Sequence, residues 1–287
     1  LSTEGQSVTF VFVDSTQGWI NTMDSTSNVR GAPPYIVASV SGACNTLTTV
    51  DTNFKLATFT GPGTFTVCSV AVSAADNAVA YMVIAGGGGN GNAGSGGGAG
   101  GFREGTTAPI VPYTASPLVN SSGITVTAQA YSISIGAGGG DAAQGSNTTA
   151  LGITSTGGGN GGNRPGGGGA GGSGGGASDY STSPGGTGNS PPVSPPQGNP
   201  GGSGSSGENG GGGGGALSAG GNASGVPGTG ATTQITGSAV IYAAGGAGDG
   251  ASPAPGPATP RANTGGGSST AAPGAGSGIV IIRYRFQ

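Results

Sequence analysis

Histidine is absent from this chain, lysine occurs only as Lys55, and charged residues make up 6% of the sequence. General acid–base catalysis and zinc binding rely most often on histidine and clustered carboxylates, and the ten carboxylates here are scattered. Seven basic residues and a net charge of −3 leave no cationic stripe for nucleic acid. We therefore expect a protein without enzymatic activity, cofactor, bound metal or nucleic-acid partner.

Residues that favour helices are also scarce, with six leucines, three glutamates and one lysine in 287 residues. Outside the glycine-rich stretches, threonine, valine, isoleucine and serine dominate, which favours extended structure. No apolar run approaches the roughly 20 residues of a membrane-spanning helix. The composition predicts an all-β protein with no membrane insertion.

Only two cysteines are present, Cys44 and Cys68. Two cysteines do not by themselves make a disulfide framework or a metal site. Either one disulfide joins them, or both are buried free thiols.

Glycine, in contrast, supplies 70 residues and is distributed unevenly. Residues 1–85 contain six glycines, and residues 86–287 contain the other 64. This change in composition predicts two parts, a small β-sandwich-like module at 1–85 and a glycine-rich domain at 86–287.

The N-terminal part has the pattern of an ordinary small β module. SVTFVFVD alternates with a period of two, and PYIVASV is a further strand candidate. KLATFTGPGTFTV predicts a hairpin in which Phe59 and Phe65 flank the turn Gly61-Pro62-Gly63. The single tryptophan, Trp19, is expected to anchor the core, because a buried tryptophan contributes a large area.

In the glycine-rich part, short β-prone runs repeatedly end in glycine. They are YMVIAGGGG, YSISIGAGGG, LGITSTGGG and VIYAAGGAG, and the chain closes with SGIVIIRYRF. We expect these strands to form a shared sheet core, with the glycine runs projecting from one end. Val280 and Ile282 are predicted to pair with the strand that contains Met82 and Ile84.

The first glycine tract could be interpreted as a nucleotide-binding turn, because Gly89, Gly91 and Gly94 match G-x-G-x-x-G directly after a strand. That motif needs a helix N-terminus to hold the pyrophosphate, and no helix can begin in SGGGAGGFREG. A phosphate-binding P-loop fails because the only lysine is Lys55. A flexible Gly/Ser linker does not explain why every tract returns to a β-prone strand.

The third interpretation is a set of packed polyglycine II helices, which have three residues per turn and no internal hydrogen bonds. Helices without side chains can pack side by side and hydrogen-bond to one another. Glycine should then recur at every third position along a crowded line. Two series are in frame: Gly88, Gly91, Gly94, Gly97 and Gly100, and Gly201, Gly204, Gly207, Gly210 and Gly213. The sequence therefore predicts a glycine-rich domain of short strands with packed polyglycine II helices.

Several of these segments resemble glycine-rich structural proteins of tailed phages. They are TFTGPGTFTV, YMVIAGGGG with GGGAGGFREG, PPVSPPQGNPGG, the closing GSGIVIIRYRF, and FVFVDSTQGWINT near the start. The chain is similar to virion proteins from myoviruses of marine bacteria, including T-even-like cyanophages. It is more distantly similar to the distal tail-fibre adhesins of T-even phages.

The resemblance implies attachment by a fibre or fibre-tip protein on the virion exterior, in an extracellular setting. Its implied partners are a host cell-surface receptor, either a glycan or an outer-membrane protein, and other virion or fibre proteins. Fibres are often trimers, so a homotrimer is one expectation and a monomeric glycine bundle is the other. The alternatives are a purely structural virion component, such as a head fibre, decoration or fibre shaft, and a subunit of a cellular surface filament.

Loops in which the glycine pattern is interrupted are the natural contact surfaces. They lie at 102–113, 179–200 and 249–263. Tyrosine and arginine are favoured at binding hot spots, and aromatic faces can stack on sugars. The candidate receptor-contact residues are Phe102, Arg103, Tyr113, Asp179, Tyr180, Asp249 and Arg261. The structural alternative is that Phe102 and Tyr113 cover a sheet edge and that Arg103 and Glu104 pair on the surface.

Overall fold

The computed structural model describes residues 8–16, 18–24, 33–107, 113–180, 182–207, 209–251, 262–271 and 274–287. These residues form fifteen strands and one short 3-10 helix, Ala74–Asn77, which confirms the predicted all-β class. The strands are β1 Val8–Asp14, β2 Gly18–Asp24, β3 Val37–Ser41, β4 Thr46–Val50, β5 Phe54–Phe59, β6 Gly63–Ser69, β7 Ala78–Ile84, β8 Phe102–Gly105, β9 Ile124–Thr125, β10 Ala130–Ile133, β11 Thr148–Ala150, β12 Ile153–Ser155, β13 Ala231–Thr233, β14 Val240–Tyr242 and β15 Ile279–Arg285.

Two antiparallel sheets share one apolar core. The larger sheet has the order β4-β5-β15-β7-β8, with β9 also paired to β7, and the smaller has the order β10-β6-β3. Phe59 of the larger sheet and Phe65 of the smaller sheet are both fully buried in this core. The ring of Tyr284 meets that of Phe65 edge-on, with centroids 5.8 Å apart. Side chains from the two sheets therefore form a β-sandwich core.

The segment Gly61-Pro62-Gly63 is not a hairpin turn, so this sequence prediction was wrong. β5 pairs with β4 and β15, whereas β6 pairs with β3 and β10. The chain therefore crosses from the larger sheet to the smaller one at this point. Sequence alternation could not distinguish the two arrangements, because Phe59 and Phe65 are inward-facing in both.

Asn45, in the connection between β3 and β4, fixes this crossing. Its amide nitrogen donates hydrogen bonds to the carbonyl oxygens of Ser41 and Pro62, at 2.9 and 3.2 Å. Its amide oxygen accepts hydrogen bonds from the backbone N–H groups of Thr60 and Gly61, at 3.1 and 3.2 Å. One side chain thus makes hydrogen bonds with four backbone groups around the crossing.

The C-terminal strand β15 pairs with β7, as the sequence predicted, and its other edge pairs with β5, which was not predicted. Val280 is opposite Val83, and Ile282 is opposite Tyr81. Both faces of β7 and nearly all of β15 are buried. Because β15 comes from the glycine-rich part, the larger sheet joins strands from both sides of the predicted boundary at residue 85.

The expected shared sheet is only partly observed. β7 and β15 belong to the larger sheet and β10 to the smaller one, but β11–β12 and β13–β14 form separate two-stranded sheets. The β13–β14 pair packs on the second face of the larger sheet, where Tyr242 and Ile235 join Met82, Phe102 and Ile281 in an apolar cluster. The larger sheet is therefore covered on both faces.

The strands β1 and β2 form a separate hairpin that pairs with no other described strand. Trp19 in this hairpin is 69% exposed, so the prediction that it anchors the core was wrong. Its ring contacts that of Phe12, with centroids 5.4 Å apart, and no sheet among the described residues pairs with the hairpin.

The two cysteines also differ from expectation. Cys44 and Cys68 are free and exposed, so they form neither the disulfide nor the buried thiols that were considered.

The glycine tracts pack together as parallel and antiparallel extended segments, here called the glycine bundle. It consists of the described residues within 86–101, 135–147, 156–230, 243–251 and 264–278. The segment 96–101 shows its geometry, because every third residue donates its backbone N–H to the same neighbouring segment. The donor–acceptor pairs are Gly96–Gly211 and Ala99–Gly214, Gly97–Ser268 and Gly100–Gly265, and Gly98–Gly159 and Gly101–Thr156, all between 2.8 and 3.1 Å. A helix that has three residues per turn and whose backbone hydrogen bonds all go to neighbouring segments is a polyglycine II helix.

The carbonyl groups of the same segment accept hydrogen bonds from three further neighbours. The donors are Gly176 N–H to the Gly96 oxygen, Gly246 N–H to the Gly97 oxygen and Gly88 N–H to the Gly98 oxygen, each at 2.8 Å. A helix at the centre of the bundle is therefore surrounded by six others.

This packing explains why nearly every position is glycine and not only every third. A Cβ added to Gly97, Gly98 or Gly100 would lie less than 3.0 Å from backbone atoms of another segment. A collagen chain has one crowded line, whereas a helix with six neighbours is crowded on all sides. The backbone hydrogen bonds, at about 0.5–1.5 kcal/mol each, offset glycine's ordering cost of about 0.5–1 kcal/mol relative to alanine.

The two in-frame glycine series do not run through the bundle as continuous helices. Gly94 and Gly207 have φ values of +68° and +78°, and both lie in turns. At the first turn the chain reverses, so that Gly91 N–H donates to the carbonyl oxygen of Ser95 at 3.1 Å. The three-residue period is therefore present, but within short helices that fold back on themselves.

Candidate functional site

One end of the glycine bundle lies away from the larger sheet. The segment 86–91 leaves β7, and the segment 95–101 returns to β8, so the turn between them is opposite the sheet. Six residues at about 3.1 Å each carry this turn roughly 19 Å from the end of β7. We call the described residues of the turns at 90–95, 163–167, 179–183 and 249–251 the far end.

Backbone hydrogen bonds hold these turns together. The N–H groups of Asp179 and Asp249 donate to the carbonyl oxygens of the adjacent residues Ala93 and Gly94, at 3.1 and 2.8 Å. Two of the candidate residues, separated by 70 positions in sequence, are thus brought to the same turn.

Arg164, which the sequence interpretation did not select, completes this site. Its Nε and Nη2 atoms donate to the two carboxylate oxygens of Asp179, at 3.1 and 2.8 Å, in a bidentate pair. Its guanidinium carbon lies 5.6 Å from the centre of the Tyr180 ring. Hydrogen bonding to Asp179, together with its negative charge, raises the pKa of Arg164 above its ordinary value. The site therefore presents a fixed cation beside an aromatic ring.

The exposure of these groups suits a contact surface. The side chain of Arg164 is 57% exposed, and Tyr180 is 60% exposed. Asp179 is mostly covered and acts as the internal partner that orients the arginine. Asp249 is exposed on the neighbouring turn.

Arg164 stands in a recognisable interruption of the glycine pattern. The sequence GGNRPGG places Asn163, Arg164 and Pro165 between two runs of glycine. The Asn163 side-chain oxygen accepts a hydrogen bond from the N–H of Asn92 at 3.0 Å, which fastens this turn to the first one. A search for charged residues inside glycine runs would have found it.

The candidate residues Phe102, Arg103 and Tyr113 lie next to the larger sheet and not at the far end. Phe102 is 1% exposed and packs in the apolar cluster on the second face of the larger sheet, so its selection as a receptor contact was wrong. Arg103 is half-buried on β8, opposite Val83. Tyr113 is half-buried against the same cluster, and burial, followed by the charge of Glu104, raises the pKa of its hydroxyl. These residues lie at the end of the bundle next to the larger sheet, opposite the far-end turns, and they pack on that sheet.

Glu104 is buried as well, which excludes the surface pair with Arg103. Its two carboxylate oxygens accept hydrogen bonds from the backbone N–H of Ser116, at 2.9 Å, and from the hydroxyl of Thr233, at 2.6 Å. The carboxylate therefore connects β8 to the loop that contains Ser116 and to the end of β13.

The other parts of the predicted contact loops do not lie at the far end or are not described. Arg261 lies outside the described residues, as do the other residues of 252–261. In the loop at 179–200, the proline-rich segment is not at the far end. Gln197 donates from its side chain to the carbonyl of Pro191 at 3.0 Å, and its own carbonyl accepts from the N–H of Phe102 at the start of β8 at 2.8 Å.

Metal and membrane features are not found in the described part of the chain. No three or more metal-binding side chains come together there. No helix among those residues is long and apolar enough to cross a membrane.

These observations define an all-β protein whose sandwich carries a packed polyglycine II bundle with a polar, aromatic far end. A family model described as a glycine-rich domain matches residues 60–285, from the crossing after β5 into β15. The chain therefore belongs to this glycine-rich domain family. No curated protein and no solved structure matches it.

Proposed function

We propose that this protein is a phage fibre or fibre-tip protein that attaches to the host surface through its far end and performs no catalysis. It works on the virion exterior, with other virion or fibre proteins as partners. The receptor is a glycan or an outer-membrane protein of the host cell. The glycine bundle holds the contact turns at a fixed distance from the sheets.

The observation that carries this proposal is the group formed by Arg164, Asp179 and Tyr180. Arginine and tyrosine are, with tryptophan, the residue types enriched at binding hot spots. Here both are exposed, and the bidentate pair with Asp179 restricts the arginine before any ligand arrives. Because an ordered side chain loses less entropy on binding, this arrangement favours recognition.

Replacing Tyr180 with alanine is expected to weaken binding to susceptible bacteria at least about tenfold, as loss of a hot-spot aromatic does. The measurement is a titration of fluorescently labelled protein on cells, followed by flow cytometry. The matched control is Ile241→Ala, which removes an apolar side chain that is 48% exposed on β14, at the sheet end. Equal binding by the two variants would contradict the assignment of the far end.

The competing function is a purely structural virion component, which the dense hydrogen bonding of the bundle would also suit. The two functions can be distinguished by whether the protein binds susceptible cells. An attachment protein binds susceptible cells and blocks infection when added in excess. A structural component does neither, and its far-end variants behave like the parent.

A further inference from the structure

The β1–β2 hairpin presents a concentrated apolar surface. Five of the eleven large apolar side chains that are exposed among the described residues belong to it, which marks it as unlike the rest of the surface. They are Phe10, Val11, Phe12, Val13 and Trp19, between 44% and 69% exposed. Single exposed apolar residues need no explanation, but a contiguous patch marks an interaction site.

The hairpin also lacks the support that a two-stranded sheet needs. β1 and β2 pair with each other and with no other described strand. An isolated hairpin is at best marginally stable in water, and burial of one face is what usually stabilises it. Because strand residues alternate between faces, Phe10 and Phe12 lie on one side of β1 and Val11 on the other. The hairpin thus gains stability when another surface covers its aromatic face.

We infer that a second copy of this chain covers that face, so that the hairpins of two or more copies pack together. The only charged residues of β1 and β2 are Asp14 and Asp24, each the last residue of its strand, so the aromatic face itself carries no charge. A neutral apolar face can meet an identical one without like-charge repulsion, which a symmetric contact requires.

The geometry favours packing through the face and not through the strand edges. The pairing of β1 with β2 has register shifts between Thr9 and Phe10 and between Phe12 and Asp14. Such irregularities twist an edge and discourage the addition of another strand. The aromatic side chains of that face, Phe10, Phe12 and Trp19, are each more than half exposed. They present on the order of 350 Å² to a partner, which corresponds to a small, reversible interface of less than about 1,200 Å² in total.

Trp19 makes this inference directly measurable, because it is the only tryptophan in the chain. Its fluorescence therefore reports the hairpin alone. The protein is examined between about 0.1 and 100 µM, the range in which a small, reversible interface is expected to dissociate. We expect the tryptophan emission to shift to the blue as concentration rises. Over the same range, the mass from sedimentation velocity should rise from 26.3 kDa to a multiple of it.

Phe12→Ser keeps the fluorescent reporter and removes its aromatic neighbour. We expect this change to raise the dissociation constant at least tenfold and to leave the melting temperature of the sandwich unchanged. The matched control is Val72→Ser, since Val72 is 55% exposed outside the hairpin. It should associate like the parent protein.

Two results would overturn the inference. The first is a mass of 26.3 kDa and a constant emission wavelength at every concentration, which would mean that a different protein covers the hairpin or that none does. The second is an oligomer that forms equally well with Phe12→Ser. Neither result bears on cell binding through Tyr180, so this inference and the proposed function can fail independently.

Discussion

Gly97→Ala is expected to lower the free energy of unfolding by about 3 kcal/mol or more, although it adds only one methyl group. The new Cβ would lie under 3.0 Å from the backbone of Gly88. The Gly97 N–H also donates to the Ser268 carbonyl at 2.9 Å, and its own carbonyl accepts from Gly246 at 2.8 Å. Separating the helices to admit the methyl group would weaken these bonds. The melting temperature should fall by roughly 6–12 °C.

The matched control for this change is Gly140→Ala. Gly140 is exposed, no atom lies within 4 Å of its added Cβ, and its φ is not in the left-handed region. Alanine there should be neutral or should stabilise by up to about 1 kcal/mol, because it reduces the entropy of the unfolded chain. Equal melting temperatures for the two variants would show that the interior of the bundle is not close-packed.

Arg283→Ala is expected to lower the free energy of unfolding by about 2–5 kcal/mol, the range for truncating a large buried side chain to alanine. Arg283 is fully buried. Its guanidinium donates to Asp51 Oδ2 at 2.6 Å and to the carbonyl of Ile235 at 3.2 Å. It lies between two rings, 4.7 Å from the centre of Phe54 and 5.2 Å from that of Tyr113. Alanine would leave a cavity and an unpaired carbonyl.

Arg285→Ala and Arg283→Met separate the contributions in this cluster. Arg285 is partly exposed and lies 3.5 Å from Asp76, so its loss should cost only about 1 kcal/mol. Methionine at 283 keeps much of the packing between the rings and lets the half-exposed Asp51 face water, so it should cost less than alanine. Thermal unfolding of the three variants ranks them by their loss of stability. A loss for Arg283→Ala as small as that for Arg285→Ala would contradict the structural role of the buried cation.

The more apolar strands, such as β5, β6, β7 and β15, were predictable because apolar alternation and β-branched residues mark them, whereas short polar strands such as β4 and β13 were not predicted. β7 and β15 could be paired in advance, since both are strongly apolar and flank the glycine-rich part. Arg283 was missed, although it is in phase with Ile279 and Ile281 and therefore falls on a buried face. An arginine at a buried strand position indicates that a partner such as Asp51 lies close to it.

The glycine bundle could be predicted in kind but not in detail. The absence of side chains indicates close backbone packing, yet it does not show which segments become neighbours. The bond from Asp249 to Gly94 joins residues with no complementary pattern between them. The exposure of Trp19 could not be predicted either. A strand has the same apolar alternation whether its apolar face is covered by the same chain or by another molecule.

Amide hydrogen exchange of the segment 96–101 tests the packed polyglycine II bundle most directly. Side chains cannot shield these amides, so any protection must come from hydrogen bonds to the neighbouring segments. Because the N–H groups from Gly96 to Gly101 are all bonded to other segments, exchange should require opening of the bundle. We expect protection of at least about a thousandfold, corresponding to an opening free energy near 4 kcal/mol. Exchange at the rate of an unfolded chain would contradict the bundle and the fixed far end that depends on it.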